Sequence, residues 1–439
     1  MDLLVRGGTI ATCADDDRVV VGDVLVREGR IVYVGPSLQL PGPARVIDAS
    51  GCAVVPGFVQ AHVHLCQVLF RGLADDMPLL EWLKRRIWPL EAAHDEASLG
   101  ASARLGLLEM MLAGTTTILD MGTVRAHDAV MTACEETGIR AMSGKAMMDL
   151  GDGVPDGLRE STKASLDESE RLARYWQGRG EGRLGYAYAP RFILSCSEAL
   201  VRGACERALA QGMLVHTHAA EHPGEREAVR HFFGDEDVAI LRKWGVSGPR
   251  AVLAHGVQLT DDEARQVAEE GTRVVHCPSA NLKLGSGIAR IAELDAFGVK
   301  LALGPDGAPC NNNLDPWTEL RHAALLSKVR TSVTAIPAKR ALRLATIDGA
   351  RALGLDHVGS IEIGKQADIV VVRIDGPHVE PGGDVFSRLV YAATARDVEH
   401  VLIAGRLVVR NREHQTLDRE AVLGRAREQV KKLVDRAHL

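Results

Sequence analysis

Between residues 57 and about 355 the chain alternates short apolar runs with longer stretches whose apolar positions recur every three or four residues. The runs read as strands: Ala53–His64, Thr115–Met121, Arg140–Met147, Arg183–Pro190, Met213–Ala219, Ala251–Val257, Thr272–Pro278 and Val299–Asp306. Between them, Glu96–Ala113, Ser197–Gln211, Asp261–Glu270 and Leu282–Phe297 have helical spacing. Eight such repeats predict an α/β protein folded as a (β/α)8 TIM-type barrel, with its active site at the C-terminal ends of the strands. The ends of the chain have a different texture. Leu3–Arg6, Gly22–Arg27 and Arg30–Gly35 are short strand-like runs between turns, and Asp368–Val372 and His400–Arg410 match them near the C-terminus. Residues 1–56 and 360–439 are therefore expected to form a small β-sandwich domain from both termini, and residues 57–359 the barrel. A last helix is expected over residues 418 to 437, with Val422, Ala426, Val430 and Leu433 on one face.

Composition narrows the functional classes. The 439 residues include 52 basic and 58 acidic side chains, a net charge of −6, which argues against a nucleic-acid partner. The eight cysteines are scattered and form no Cys-x-x-Cys, so a reduced, cytoplasmic setting is expected. No apolar run reaches the roughly 18 residues that a membrane span needs, and the first residues do not read as a signal peptide.

Polar residues close four of the apolar runs. His62-Val63-His64 ends the first and His216-Thr217-His218 the fifth, with Glu221 three residues further on; His255 ends the sixth and Asp306 the eighth. Residues two apart on a strand share a face, so each His-x-His presents both rings to one side. Taken singly, each has a plain structural reading: half-buried histidines, a core histidine, a turn aspartate before glycine. Taken together, His62, His64, His218 and Asp306 make a shell of three nitrogens and one oxygen. That shell suits zinc, and also ferrous iron or manganese. A closed barrel brings these strand ends to one point more readily than a doubly wound open sheet. A metal in such a shell lowers the pKa of a water molecule. Glu221 is then the candidate to carry the proton, and His255 to hydrogen-bond the water or polarise a tetrahedral intermediate. The His-x-Glu and Pro-Cys-x-x-Cys signature of cytidine-type deaminases is absent.

The segments Pro56–His64, His216–Glu221, Ala254–Gly256, His276–Asn281, Gly304–Gly307 and Gly359–Val371 resemble the amidohydrolase superfamily, and the resemblance covers essentially the whole chain. Within it the chain looks most like the aminohydrolase branch. That branch includes S-adenosylhomocysteine/5′-methylthioadenosine/5′-deoxyadenosine deaminases, guanine deaminases and triazine hydrolases. The resemblance implies His62, His64, His218 and Asp306 as ligands of one divalent metal, zinc before iron or manganese. It makes Glu221 the proton shuttle and His255 the contact to the attacking water, with Asp306 in the catalytic set. The implied reaction is hydrolytic loss of ammonia from a purine ring. Related binuclear hydrolases bridge a second metal with a carboxylated lysine on the fourth strand; Tyr186–Phe192 carries none, so one metal is expected.

Two sub-family signals compete. Arg71–Leu83 with Trp88–Glu91 resembles the adenosine-type enzymes, where Trp82 would line the pocket and Glu91 would bind the ribose hydroxyls. Leu282–Ala289 and Asp306–Asp315 favour the same group. Gln67, the Arg191-Phe192 pair and Gly144–Leu150 resemble guanine deaminase instead, where Arg191 and Phe192 would hold a free purine. Pro305 replaces the threonine usual before the metal aspartate. Cys310 aligns with a position that tunes the leaving group in triazine hydrolases, but a small buried thiol is the safer reading. The expected substrates are 5′-modified adenine nucleosides, with guanine or an s-triazine as alternatives. A non-catalytic assembly protein on the same fold is a remote alternative, opposed by the intact His62/His64/His218/Asp306 set. The family likeness further implies a homo-oligomer.

Overall fold

The computed structural model describes residues 2–40 and 42–439. Eight parallel strands follow one another around a barrel: Phe58–Val63, Thr115–Met121, Arg140–Gly144 (continued by Ala146–Met147), Leu184–Pro190, Leu214–Ala219, Ala251–His255, Arg273–His276 and Lys300–Leu303. Each pairs with the next, and a parallel bridge from Val63 to Asp306 closes the ring. The seam is tight. The Asp306 amide donates to the His62 carbonyl at 3.2 Å. A Cβ on Gly304 would sit 2.6 Å from that carbonyl oxygen and 2.8 Å from the His62 nitrogen, so only glycine fits there. Helices including Glu96–Leu112, Thr162–Trp176, Glu198–Gln211, Pro223–Phe233 and Asp261–Glu270 connect the strands. The last begins with a reciprocal Thr260/Glu263 capping box and ends on Gly271 at φ 72°, a start and a stop both readable in the sequence.

The terminal strands form a second sheet of nine strands. Its path runs Glu413–His414, Arg406–Arg410, Val398–Ile403, Ile369–Arg373, Cys52–Pro56, Asp2–Ala11, Val19–Arg27, Arg30–Gly35, with Ala44–Asp48 paired to Asp2–Ala11. Both ends of the chain meet where Ile369–Arg373 pairs antiparallel with Cys52–Pro56. A buried ion pair, Arg140 to Asp368 at 3.1 Å, ties this sheet to the third barrel strand. The closing helix, Arg419–Ala437, buries Val422, Ala426 and Leu433, and its Arg436 caps the Ala93 carbonyl at 2.8 Å. No helix among the described residues is long and apolar enough to cross a membrane.

Three elements differ from the sequence-based expectation, the first being the strand expected over Arg140–Met147, which is broken at Lys145 into Arg140–Gly144 and Ala146–Met147. The single strand expected over Ala53–His64 is two strands in two sheets, Cys52–Pro56 and Phe58–Val63. The chain changes sheet at Gly57, where a Cβ would meet the Thr116 side chain at 2.1 Å. The helix expected over Leu282–Phe297 is a pair of short ones, Pro278–Lys283 and Ile291–Ala296. Gly285 and Gly287, at φ 68° and 119°, interrupt it, and Leu284 consequently faces the mouth of the barrel.

Candidate metal centre and active site

The barrel register gathers the polar strand ends. His62 and His64 leave the first strand, His218 the fifth, and Asp306 follows the eighth across the closing bridge. One ligand atom from each of these four lies within 4.8 Å of the others. The Asp306 Oδ1 is 3.2 Å from both the His62 and His64 Nε2 atoms, and the His64 and His218 Nε2 atoms are 3.2 Å apart. Four donor atoms this close could hold a cation among them. The outer ring nitrogens explain their orientation. His64 Nδ1 donates to the Met121 carbonyl at 2.8 Å and His218 Nδ1 to the Arg191 carbonyl at 2.7 Å, so both Nε2 lone pairs point inward. The buried His62 Nε2 faces the Asp306 carboxylate at 3.2 Å. The donor set therefore fits a divalent cation of borderline softness.

Electrostatics favour neutral imidazoles at His62 and His218 beside an ionised carboxylate, whereas at His64 burial is outweighed by the hydrogen bond and charge of Asp306, which raise that imidazole. Burial lowers His62 to about 4 and takes His218 well below the usual histidine value. Burial would raise Asp306, but hydrogen bonds and charge from His62 and His64 outweigh it and hold that carboxyl well below the carboxylate range. Asp306 and His255 have φ of 64° and 77°, and Ala220, just before Glu221, has 52°. Left-handed non-glycine backbone costs about 1–3 kcal/mol per residue, and here two such residues, His255 and Asp306, line the site while Ala220 directly precedes Glu221.

Glu221 and His255 sit over the same point. His255 Nε2 is 3.4 Å from Glu221 Oε2 and 4.0 Å from Asp306 Oδ2. His255 Nδ1 donates to Asn281 Oδ1 at 2.9 Å, which leaves Nε2 free to face the centre. Glu221 Oε1 is buried without a partner. Burial, with lesser contributions from Glu225 and Asp306, pushes the Glu221 carboxyl well above its usual range. Lys145, within the broken third strand, donates to Glu160 at 2.5 Å and Ser165 at 3.2 Å rather than toward the ligands.

A pocket opens beside these groups, walled by Leu79, Trp82, Leu83, Phe192 and Leu284 and bearing the polar groups of Gln67 and Arg191. The Trp82 indole nitrogen donates to the Ala74 carbonyl at 3.1 Å, so the ring offers the pocket an apolar surface and no donor. Glu91 lies behind this wall, 2% exposed. The Arg191 guanidinium grips both of its oxygens, and Gln67 Nε2 donates to Oε1 at 2.7 Å. The structure thus brings Gln67, Glu91 and Arg191 together as one buried group. Cys310 is also buried and donates to Asp306 Oδ2 at 3.2 Å, directly behind the ligand set.

Sequence reasoning gave no role to several supporting residues. His216 Nε2 lies 2.9 Å from His62 Nδ1 and so backs the first ligand; its place two residues before His218 was the available signal. Asp120 accepts from the Leu65 amide at 2.8 Å and from Ser143 at 2.5 Å, steadying the chain just after His64. Asn281 closes the His276-Cys-Pro-Ser-Ala-Asn segment, but its pairing with His255 depends on how that segment turns.

Comparison with known proteins agrees with this geometry. The chain is 38% identical over 416 residues to a 5-methylthioadenosine/S-adenosylhomocysteine deaminase of Moorella thermoacetica, covering 94% of this chain and 95% of that one. It is 40% identical over 404 residues to a 5′-deoxyadenosine deaminase of Methanothermobacter thermautotrophicus, covering 92% of each. Its fold is similar to that of an adenosine deaminase from Xanthomonas campestris solved with bound zinc, with a TM-score of 0.92, 34% identity and 99% of each chain covered. The model of the amidohydrolase family matches residues 53–408, and the chain belongs to that family.

Proposed function

We propose that the protein is a zinc-dependent aminohydrolase that deaminates 5′-modified adenine nucleosides, namely 5′-deoxyadenosine, 5′-methylthioadenosine or S-adenosylhomocysteine, to the inosine analogue and ammonia. The observation that carries this reading is the His62/His64/His218/Asp306 cluster with Glu221 and His255 beside it, in a pocket whose other wall is apolar and aromatic. The deaminase names of relatives at 38–40% identity support the substrate class. Zinc held by the four ligands would supply an activated water nucleophile. The remaining chemistry belongs to the chain's own side chains. Trp82 and Phe192 hold the purine between apolar surfaces and exclude solvent. Glu221 takes one proton from the attacking water and passes it to a ring nitrogen, then takes the second from the resulting hydroxyl and passes it to the departing amine, so that water and amine become carbonyl and ammonia. His255, its tautomer set by Asn281, orients the water from the side opposite the apolar wall.

Guanine deamination is the second reading, and one observation favours it. Glu91 is already engaged by Arg191 and Gln67, whereas Arg191 and Gln67 themselves line the pocket. A ribose bound by Glu91 would have to share its oxygens with that guanidinium. Glu91→Gln tests this while keeping the volume and one acceptor. The nucleoside reading expects a rise in KM for 5′-methylthioadenosine well beyond that for a free base, and equal effects would remove Glu91 from ribose binding. Glu221→Gln should keep the metal and lose about 10²–10⁴-fold in kcat; wild-type turnover would refute the proton shuttle. All eight cysteines are free, which is consistent with a cytoplasmic enzyme. A homo-oligomer, implied by the family likeness, is checked by sedimentation.

A further inference from the structure

A buried group of acids behind the fifth strand offers three carboxylates, Glu236, Asp237 and Glu263, near enough to one another to hold a metal. It is filled from within the chain. Arg226 donates to Glu236 and to both oxygens of Glu263, and its Nε lies 3.5 Å from Asp237 Oδ1. A guanidinium occupies the position a cation would take, and the group is better understood by what it grips on its other side.

That other side is the turn carrying Glu221. Four consecutive backbone groups of the turn are tied down. The Ala219 carbonyl accepts from the Gly256 amide at 3.1 Å, and the Ala220 carbonyl accepts from the Gln258 amide at 2.8 Å. The Ala220 amide donates to Asp237 Oδ2, and the Glu221 amide donates to Glu225 Oε2 at 3.2 Å. These bonds hold Ala220 at φ 52°, a conformation that alanine does not adopt unaided. Arg226 also donates to the Gln258 carbonyl at 2.8 Å, so one guanidinium braces both the Asp237 side and the Gln258 side of the turn. The Glu221 side chain has no hydrogen bond of its own to fix Oε1. Beyond the approach of Oε2 to His255 Nε2 at 3.4 Å, its direction is set by its backbone.

We infer that Glu225 and Asp237 are positioning residues for Glu221: they hold the strained turn whose geometry aims the Glu221 carboxyl at the metal ligands and the pocket. This inference rests on the proton-shuttle reading of Glu221. Neither residue touches the pocket, so their removal should change the chemical step and leave substrate binding alone. Burial pushes Glu225 up to about 8, so near neutral pH it is largely the protonated acid and glutamine is its close isostere.

The test compares Glu225→Gln, Glu225→Ala and Asp237→Asn in the zinc-loaded protein. Three quantities are followed: zinc content, steady-state kinetics on whichever purine the wild type deaminates, and amide hydrogen exchange at Ala220 and Glu221. Glu225→Ala should keep full zinc, keep KM within about threefold, and lose kcat by about 10²-fold, the size of effect that misplacement of about 1 Å produces. The Ala220 and Glu221 amides should lose protection in that variant. Glu225→Gln and Asp237→Asn, which retain an acceptor oxygen, should stay close to wild type on every count. Wild-type kcat in Glu225→Ala, or unchanged protection of the two amides, would overturn the inference. A fall in zinc content matching the fall in kcat would do the same. If the wild type releases ammonia from no purine, the functional reading fails separately, and amide exchange still decides whether the clamp exists.

Discussion

At the scale of single residues, the ligand set works through atoms that face away from it. His64 and His218 can offer their inner nitrogens because backbone carbonyls of Met121 and Arg191 take the outer ones. His62 differs: its outer nitrogen meets another imidazole, His216, at 2.9 Å. Such outer partners fix ring orientation, and their loss commonly costs about 10- to 100-fold in metal affinity. His216→Ala is thus expected to weaken zinc binding by that factor in a chelator competition, while a surface histidine such as His231 changed to alanine leaves it intact. Equal affinity in the His216 variant would mean that His62 is oriented by packing alone. The candidate ligands were legible in the sequence because each closes an apolar run with a group that a strand end rarely needs, and Glu221 because it follows the second His-x-His by three residues. The Glu91–Arg191 pair was not, because the two are a hundred positions apart and only the barrel's closure makes them neighbours.

At the scale of elements, the site depends on the seam between the first and eighth strands. That seam places His62, His64 and Asp306 side by side, and it closes only because Gly304 lets the two backbones approach. Gly304→Ala should force the strands apart at the ligand level. The expected result is partial loss of bound zinc by metal analysis and a lower Tm; full zinc content at unchanged Tm would show that the seam can relax. Most strand and helix positions followed from periodicity, and Thr115–Met121 and Asp261–Glu270 agree with the expected bounds. Two of the misread segments share a cause. At Gly57 and at Gly285 and Gly287 the apolar pattern continues while the backbone changes direction, and hydrophobic periodicity carries no information about φ.

At the scale of the whole molecule, the terminal sheet and the barrel are joined by charge as well as by apolar packing. Arg140 on the third barrel strand is 2% exposed and pairs with Asp368 in the segment leading into the terminal sheet. Asp368 also accepts from the Ala404 amide at 2.7 Å. Removing one member of a buried pair strands the other, at a cost of about 3–5 kcal/mol. Asp368→Ala should lower stability by that order in urea unfolding, whereas the double change Arg140→Met with Asp368→Ala should recover part of it. No recovery would mean that the Ala404 bond carries the effect. That the two chain ends share a unit was readable from their common texture. Their antiparallel junction, Ile369–Arg373 against Cys52–Pro56, was not, because strand pairing across three hundred residues leaves no local trace.

The central claim is metal-dependent purine deamination by this one constellation. The most direct test is ammonia release by zinc-reconstituted protein, with 5′-methylthioadenosine and guanine assayed in parallel and a chelator-stripped sample alongside. The account predicts ammonia from the nucleoside, loss of that activity on stripping and its return with zinc. Ammonia from guanine alone would reassign the pocket to Gln67, Arg191 and Phe192, and ammonia release that survives complete removal of the metal would contradict the account.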